Sequence, residues 1–104
     1  MNLPEAFAAS AQVRPAKVAL FWGEREFTYA QLQAQSLGVA QQLVGQFGVK
    51  PADRVGLWLK NRPEFIPAFF GILNAAAVVV PINNFLKPNE VSYILADAGI
   101  DVLI

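Results

Sequence analysis

Apolar and polar positions along this chain follow one rhythm before Asp53 and another after it. Tyr29, Leu32, Ser36, Ala40, Leu43 and Phe47 recur at steps of three and four, which is one face of a 3.6-period helix. Leu37 and Val44 extend that face. Thr28, followed three positions later by Gln31, is a capping-box signal in which each side chain satisfies an orphan amide of the first turn. Gly48 stands where a left-handed residue closes such a helix. Upstream, Leu3 to about Val13 reads as a short amphipathic helix with Leu3, Phe7, Ala8 and Val13 as its apolar positions. It ends before Arg14-Pro15, because the residue preceding a proline avoids helical backbone. Between the helices, Val18–Trp22 and Glu26–Thr28 read as two short strands joined by a turn at Gly23-Glu24.

From Asp53 onward the apolar residues form continuous runs. Val55–Leu59 (VGLWL) and Ala77–Ile82 are expected to be strands covered on both faces. Between them, Asn61 and Glu64 signal the start of a helix from about Arg62 to Ala76. Pro67 within it requires a kink or a late start, because proline removes a backbone donor. Pro88 and Glu90 open a further helix through about Ala98, with Val91, Ile94, Leu95 and Ala98 on one face and Gly99 at its end. Asp101–Ile104 (DVLI) begins another apolar strand. The order predicts an α/β fold: an N-terminal hairpin and helices, then a β-α-β-α-β unit with a mainly parallel sheet. A strand as apolar as DVLI at the last position leads us to expect the first part of a longer protein, with an incomplete core.

Composition sharpens that expectation. The 104 residues are 55% hydrophobic and only 15% charged. A compact domain of this mass exposes about 5,700 Å², a large area for sixteen charged side chains (eight basic, eight acidic) to solvate. Zero formal net charge gives no electrostatic reason to bind nucleic acid. The chain has no cysteine and no histidine, so disulfide scaffolds, thiolate chemistry and histidine-based triads cannot be built from it. MNLPEAFAAS lacks the pattern of a secretory signal. The uncharged stretch Phe65–Ile82 has eighteen residues, the lower edge of a membrane span. Pro67, Pro81 and Asn74 interrupt it, so it reads as a buried helix followed by a buried strand.

Candidate chemistry is sparse. No Gly-x-Gly pair and no Gly-x-x-x-x-Gly-Lys loop occurs, so neither standard phosphate-binding fingerprint is present. Glu24 and Glu26 flank the hairpin turn and read as solvated. Asp97 and Asp101 bracket Gly99, but hard cations need several oxygens, and a third ligand is not nearby. Glu64 reads as a cap. Lys60, Asn61 and Arg62, and likewise Asn83 and Asn84, follow strand carboxyl ends, where open α/β sheets bind ligands. Capping, solvation and turn formation explain them equally well. Trp58, Trp22 and Tyr29 read as packing residues. No catalytic, cofactor-binding or metal-binding residue is assigned.

The residues do resemble a known family. RPEFIPAFFGILNAAAVVVPINNFLKPNEVSYILADAGIDVLI, from Arg62 to Ile104, is similar to the N-terminal region of AMP-forming acyl-CoA synthetases, members of the adenylate-forming superfamily. RPAKVALFWGEREFTYAQL and DRVGLWLKNRPEF resemble the preceding segments in the same order. One departure is Ala76, in Ala75-Ala76-Ala77, where the family usually has glycine. A methyl group there is expected to cost about 1 kcal/mol if the position is left-handed.

The resemblance implies an enzyme that activates a carboxylic acid, a fatty acid by preference, with ATP and magnesium. It then transfers the acyl group to coenzyme A. It also implies that the phosphate loop and the remaining catalytic motifs lie beyond Ile104. Residues 1–104 are then a structural, catalytically incomplete N-terminal part of an AMP-binding domain. Its expected partners are the remainder of its own polypeptide and, for the isolated chain, other copies of itself. No transmembrane segment is expected, and the location is cytoplasmic, with a membrane-peripheral parent as a variant. The alternatives are an autonomous small α/β binding or oligomerisation module, and a membrane-anchored segment built on Phe65–Ile82.

Overall fold

A computed structural model describes residues 2–104. Helix α1 (Leu3–Val13) starts at Asn2, whose side chain accepts from the Glu5 amide at 2.9 Å, with Glu5 reaching back to the Asn2 amide. Strands β1 (Val18–Trp22) and β2 (Arg25–Thr28) pair antiparallel across Gly23-Glu24, with Gly23 at φ 60°. Helix α2 (Tyr29–Gly45) follows at once, because Thr28 ends β2 and also caps the helix. The Thr28 hydroxyl accepts from the Gln31 amide at 3.1 Å, and the Gln31 side chain accepts from the Thr28 amide at 2.8 Å.

The second half has the expected alternation: β3 (Arg54–Leu57), α3 (Phe65–Asn74), β4 (Val78–Pro81), α4 (Pro88–Ala98) and β5 (Val102–Leu103). All three strands run parallel in the order β4-β3-β5, with Leu57 opposite Pro81 and Val55 opposite both Val79 and Val102. Helices α2 and α3 cover the sheet face bearing Val55 and Leu57, and Ala40, Leu43, Ala68 and Ile72 complete that core. Helix α4 lies on the opposite face. There Gly56 leaves room for Leu103, Ile82 and Leu95, whose side-chain atoms would stand 3.0–3.4 Å from any Cβ at that position. Helix α1 docks on the outside of α2 and α3 by stacking Phe7 on Phe70, ring centres 4.3 Å apart, with Tyr29 at 5.8 Å from Phe7.

Two helices approach unusually closely where Gly71 of α3 meets α2. A Cβ on Gly71 would fall 2.5 Å from the Val39 Cβ and 3.0 Å from the Ser36 carbonyl oxygen. This approach narrows the buried strip of α2 to Leu32, Ser36, Ala40 and Leu43. Leu37 and Val44, expected on that face, are instead 46% and 52% exposed. Phe47 is also exposed, because α2 stops at Gly45, and the left-handed residue, Gly48 at φ 67°, comes three positions later.

Other boundaries shift for identifiable reasons. Asn61 and Glu64 form no capping box, and α3 begins only at Phe65, with Glu64 as an N-cap that makes no side-chain bond. This late start puts Pro67 in the first turn, where its missing donor has no intrahelical partner to lose. At its other end, α3 closes in a Schellman arrangement. Ala77 donates to the Ile72 carbonyl and Ala76 to that of Leu73, with Ala76 left-handed at φ 60°. In β3 only Val55–Leu57 is fully buried, and Trp58, expected in the core, is half-exposed beyond the strand.

The two sheet edges differ. Hydrogen bonds from Val78 and Ile82 to β3 fix the alternation along β4, so Val79 and Pro81 present their backbone outward. Pro81 has no N–H to offer there. On β5, Ile104 faces β3, donating to Gly56 and accepting from Trp58, and Leu103 points its N–H and C=O away from the sheet. The molecule is also looser than its mass predicts. Its accessible surface is 6736 Å², roughly 1,000 Å² above the scaling value. Its radius of gyration is 14.3 Å against about 13 Å for a compact domain of this length.

Candidate functional site

The parallel register brings the connections after β3 and β4 to one end of the sheet, since Leu57 and Pro81 are neighbours. Lys60, Asn61 and Arg62 leave from one strand and Asn83 and Asn84 from the other. Position is all these residues share. Lys60, Asn61 and Arg62 are exposed. The Asn83 side chain accepts from the Phe85 amide at 2.9 Å, which locks the turn before α4, and Asn84 is half-buried. Phe85 itself projects into solvent, 92% exposed.

The carboxylates lie apart from this end. Glu24, Glu26 and Glu64 are exposed on separate elements. Asp97 and Asp101 are exposed around Gly99, which ends α4 in the left-handed conformation at φ 66°. Among the described residues, no three His, Cys, Asp or Glu side chains come together to hold a metal. Asp53 accepts from the Lys50 amide at 2.9 Å and shapes the turn before β3. Arg54 donates to the Ala98 carbonyl at 2.8 Å, tying the start of β3 to the last turn of α4. This contact spans 44 residues and had no signal in the sequence.

Most of the concave surface is apolar, the exception being a small pocket of about 150 Å³ lined by Asp53, Arg54 and Asp101. A cleft of about 440 Å³ lies between α2 and β5, with Leu43 and Phe47 on one side and Val102 and Ile104 on the other. It adjoins the open β5 edge. Chemically, this arrangement can pack against further polypeptide; none of the groups facing the cleft except Asp101 is ionisable. Among the described residues, no helix is long and apolar enough to cross a membrane.

Comparison with known proteins gives these features a context. The model of the family described as "AMP-binding enzyme" matches residues 7–104. A medium/long-chain-fatty-acid–CoA/3-oxocholest-4-en-26-oate–CoA ligase of Mycobacterium marinum is 31% identical over 104 residues, covering 100% of this chain and 19% of that protein. A linear gramicidin synthase polypeptide of Brevibacillus parabrevis is 33% identical over 100 residues, 96% of this chain and 1% of that protein. The crystal structure of the anthranilate CoA ligase AuaEII in complex with anthranoyl-AMP superposes with a TM-score of 0.90 at 37% identity, covering 99% of this chain and 20% of that one. The chain thus spans about one fifth of the length of the two ligases it matches. With 98 of its residues inside the family model and its parallel sheet matching a ligase of known structure, the chain belongs to the AMP-binding enzyme family.

Proposed function

We propose that this chain is the N-terminal structural portion of a cytoplasmic AMP-forming acyl-CoA synthetase with a fatty acid as substrate. In the reaction proposed, the acid's carboxylate attacks the α-phosphorus of ATP, and pyrophosphate leaves. The thiol of coenzyme A then displaces AMP from the acyl-adenylate to give the thioester. The observation that carries the substrate class is the similarity, over all 104 residues, to a fatty-acid–CoA ligase. Similarity to a gramicidin synthase and an anthranilate ligase favours amino and aromatic acids as the second reading.

Magnesium is implied by the family, since the transferring phosphates need charge compensation. The residues present do not fit it, as the described carboxylates form no oxygen cluster. No step of the reaction is therefore assigned to a residue of this chain. Its contribution is mechanical: β3 and β4 hold adjacent strand ends rigid, and the cleft beside β5 receives the rest of the enzyme.

The test is ATP–pyrophosphate exchange, run on the 104-residue chain and on the same chain extended by whatever its gene encodes downstream. Exchange stimulated by fatty acids is expected only from the extended chain. Exchange with amino or aromatic acids alone would replace the substrate class, and no exchange across a broad acid panel would refute the reading.

A further inference from the structure

A pocket of about 350 Å³ opens where the last turn of α1 meets the approach to β1 and the start of α2. Its lining combines apolar surface from Ala9 and Val13 with two cationic residues, Arg14 and Lys17, and two that carry hydroxyls, Ser10 and Tyr29. No carboxylate lines it. The backbone ties the four polar residues together in series. The Arg14 amide donates to the Ser10 carbonyl at 2.9 Å, the Lys17 amide to the Arg14 carbonyl at 3.2 Å, and the Tyr29 amide to the Lys17 carbonyl at 3.0 Å. The middle bond closes a turn with Pro15 at its second position, which holds Arg14 and Lys17 within about 7 Å of each other at Cα. Phe7 steadies the Tyr29 ring from the other side, with ring centres 5.8 Å apart. The amides of Tyr29 and Ala30 are spent on the Lys17 and Pro15 carbonyls, so the pocket offers a ligand side chains rather than the bare start of α2. Complementing the carbonyl end of α1 accounts for Arg14. It does not account for Lys17, and no acidic residue in the lining answers either charge.

We infer that this pocket binds a small phosphomonoester with an apolar or aromatic body. Such a group carries close to two negative charges at neutral pH and three acceptor oxygens, which suits two cations and two hydroxyl donors. A guanidinium takes two of those oxygens side by side, and a lysine adds a point charge. A carboxylate brings one charge and two oxygens and leaves donors over. The surface of Ala9, Val13 and the Tyr29 ring receives the organic body, so inorganic phosphate is the poorer ligand. The volume lies at the small end of ligand pockets. Arg14 and Lys17 are exposed to water, which keeps binding weak, with dissociation on the order of 1 mM. The lining shares no residue with the cleft beside β5, and the site owes nothing to the ligase reading.

The probe is phenyl phosphate, titrated by ligand-observed NMR into the 104-residue chain and into the chain extended by its downstream sequence. Saturable binding to both is expected. Arg14→Gln and Lys17→Gln should each raise the dissociation constant at least about fivefold, the scale of one charge-assisted contact at an exposed site, with circular dichroism checking that each variant is folded. Lys50→Gln, exposed beyond the far end of α2, should leave it unchanged. Benzoate and inorganic phosphate should each bind at least about threefold more weakly, the first for want of charge and the second for want of apolar contact. No saturation below about 20 mM, far above the expected constant, overturns the proposal. So does an equal loss in Lys50→Gln, which would mean diffuse attraction to any basic surface. Benzoate binding as tightly as phenyl phosphate overturns the ligand class. Binding to the extended chain that ignores Arg14→Gln also overturns it, because further polypeptide then occupies the pocket.

Discussion

The amide of Ala52 donates to the carbonyl of Ala76 at 2.9 Å, and both alanines hold left-handed backbone, at φ 70° and 60°. The contact joins the turn before β3 to the Schellman turn after α3. It stacks two strained residues at one corner of the sheet. For an L-residue with a Cβ this conformation costs roughly 1–2 kcal/mol.

Ala76→Gly should therefore stabilise the chain. Glycine relieves that strain but loses more entropy on folding, leaving a net gain of about 0.5–1 kcal/mol. For a domain of this size that is a rise of roughly 3–6 °C in Tm, read by thermal unfolding. An unchanged or lower Tm would show that Ala76 is not strained.

Two glycines in neighbouring helices should respond with opposite signs to the same substitution. Gly71→Ala drives a methyl group into the Val39 side chain and the Ser36 carbonyl, and overpacking of this kind costs roughly 1–3 kcal/mol or more. Gly38→Ala, inside α2 with open space around its Cβ direction, should gain about 0.5–1 kcal/mol from helix propensity. Urea denaturation of both variants measures the difference. Equal effects would mean that the α2–α3 approach is less close than described.

Ser36 is fully buried, and its hydroxyl donates to the Leu32 carbonyl at 2.7 Å within its own helix. Ser36→Ala removes the donor without orphaning another group, so its expected effect lies within about 0.5 kcal/mol of zero, on the stabilising side. A loss above roughly 1.5 kcal/mol, beyond a typical hydrogen bond's net worth, would assign the hydroxyl a larger part in the α2–α3 contact.

Leu57 is 1% exposed at the centre of the sheet. Leu57→Ala should cost about 2–5 kcal/mol through the cavity it leaves. In the extended enzyme, the fraction that folds should keep most of its exchange activity. Abolished exchange in a fully folded variant would contradict the mechanical role given to β3.

Much of the architecture was legible because local signals agreed with the tertiary result. Thr28 and Gln31 fix the start of α2, Gly99 the end of α4, and the runs around Val55 and Val79 the sheet. Leu37 and Val44 fall outside the buried strip because periodicity sets the direction of a buried face, not its width. The width depends on Gly71, a residue 34 positions beyond Leu37 that lets α3 approach. Asn61 and Glu64 looked like a cap, but the prolines at 63 and 67 moved the helix start beyond their reach. At the strand ends, residue type gave position without role: Asn83 commits its side chain to its own turn, and Lys60 and Arg62 face water.

Pro81 has a consequence for how copies of this sheet can accumulate. Open-ended fibrils require each unit to offer pairing on both flanks, so that every addition creates a fresh template. Here β5 presents an outward amide at Leu103, while Pro81 deprives β4 of one it would otherwise present. Edge-to-edge meetings are therefore favoured between two β5 strands, which consume both open flanks and leave only the β4 sides exposed. The β4 flank that remains still offers the Val79 amide but none at Pro81, so one ring at the right parity makes further edge growth less favourable than the first pairing.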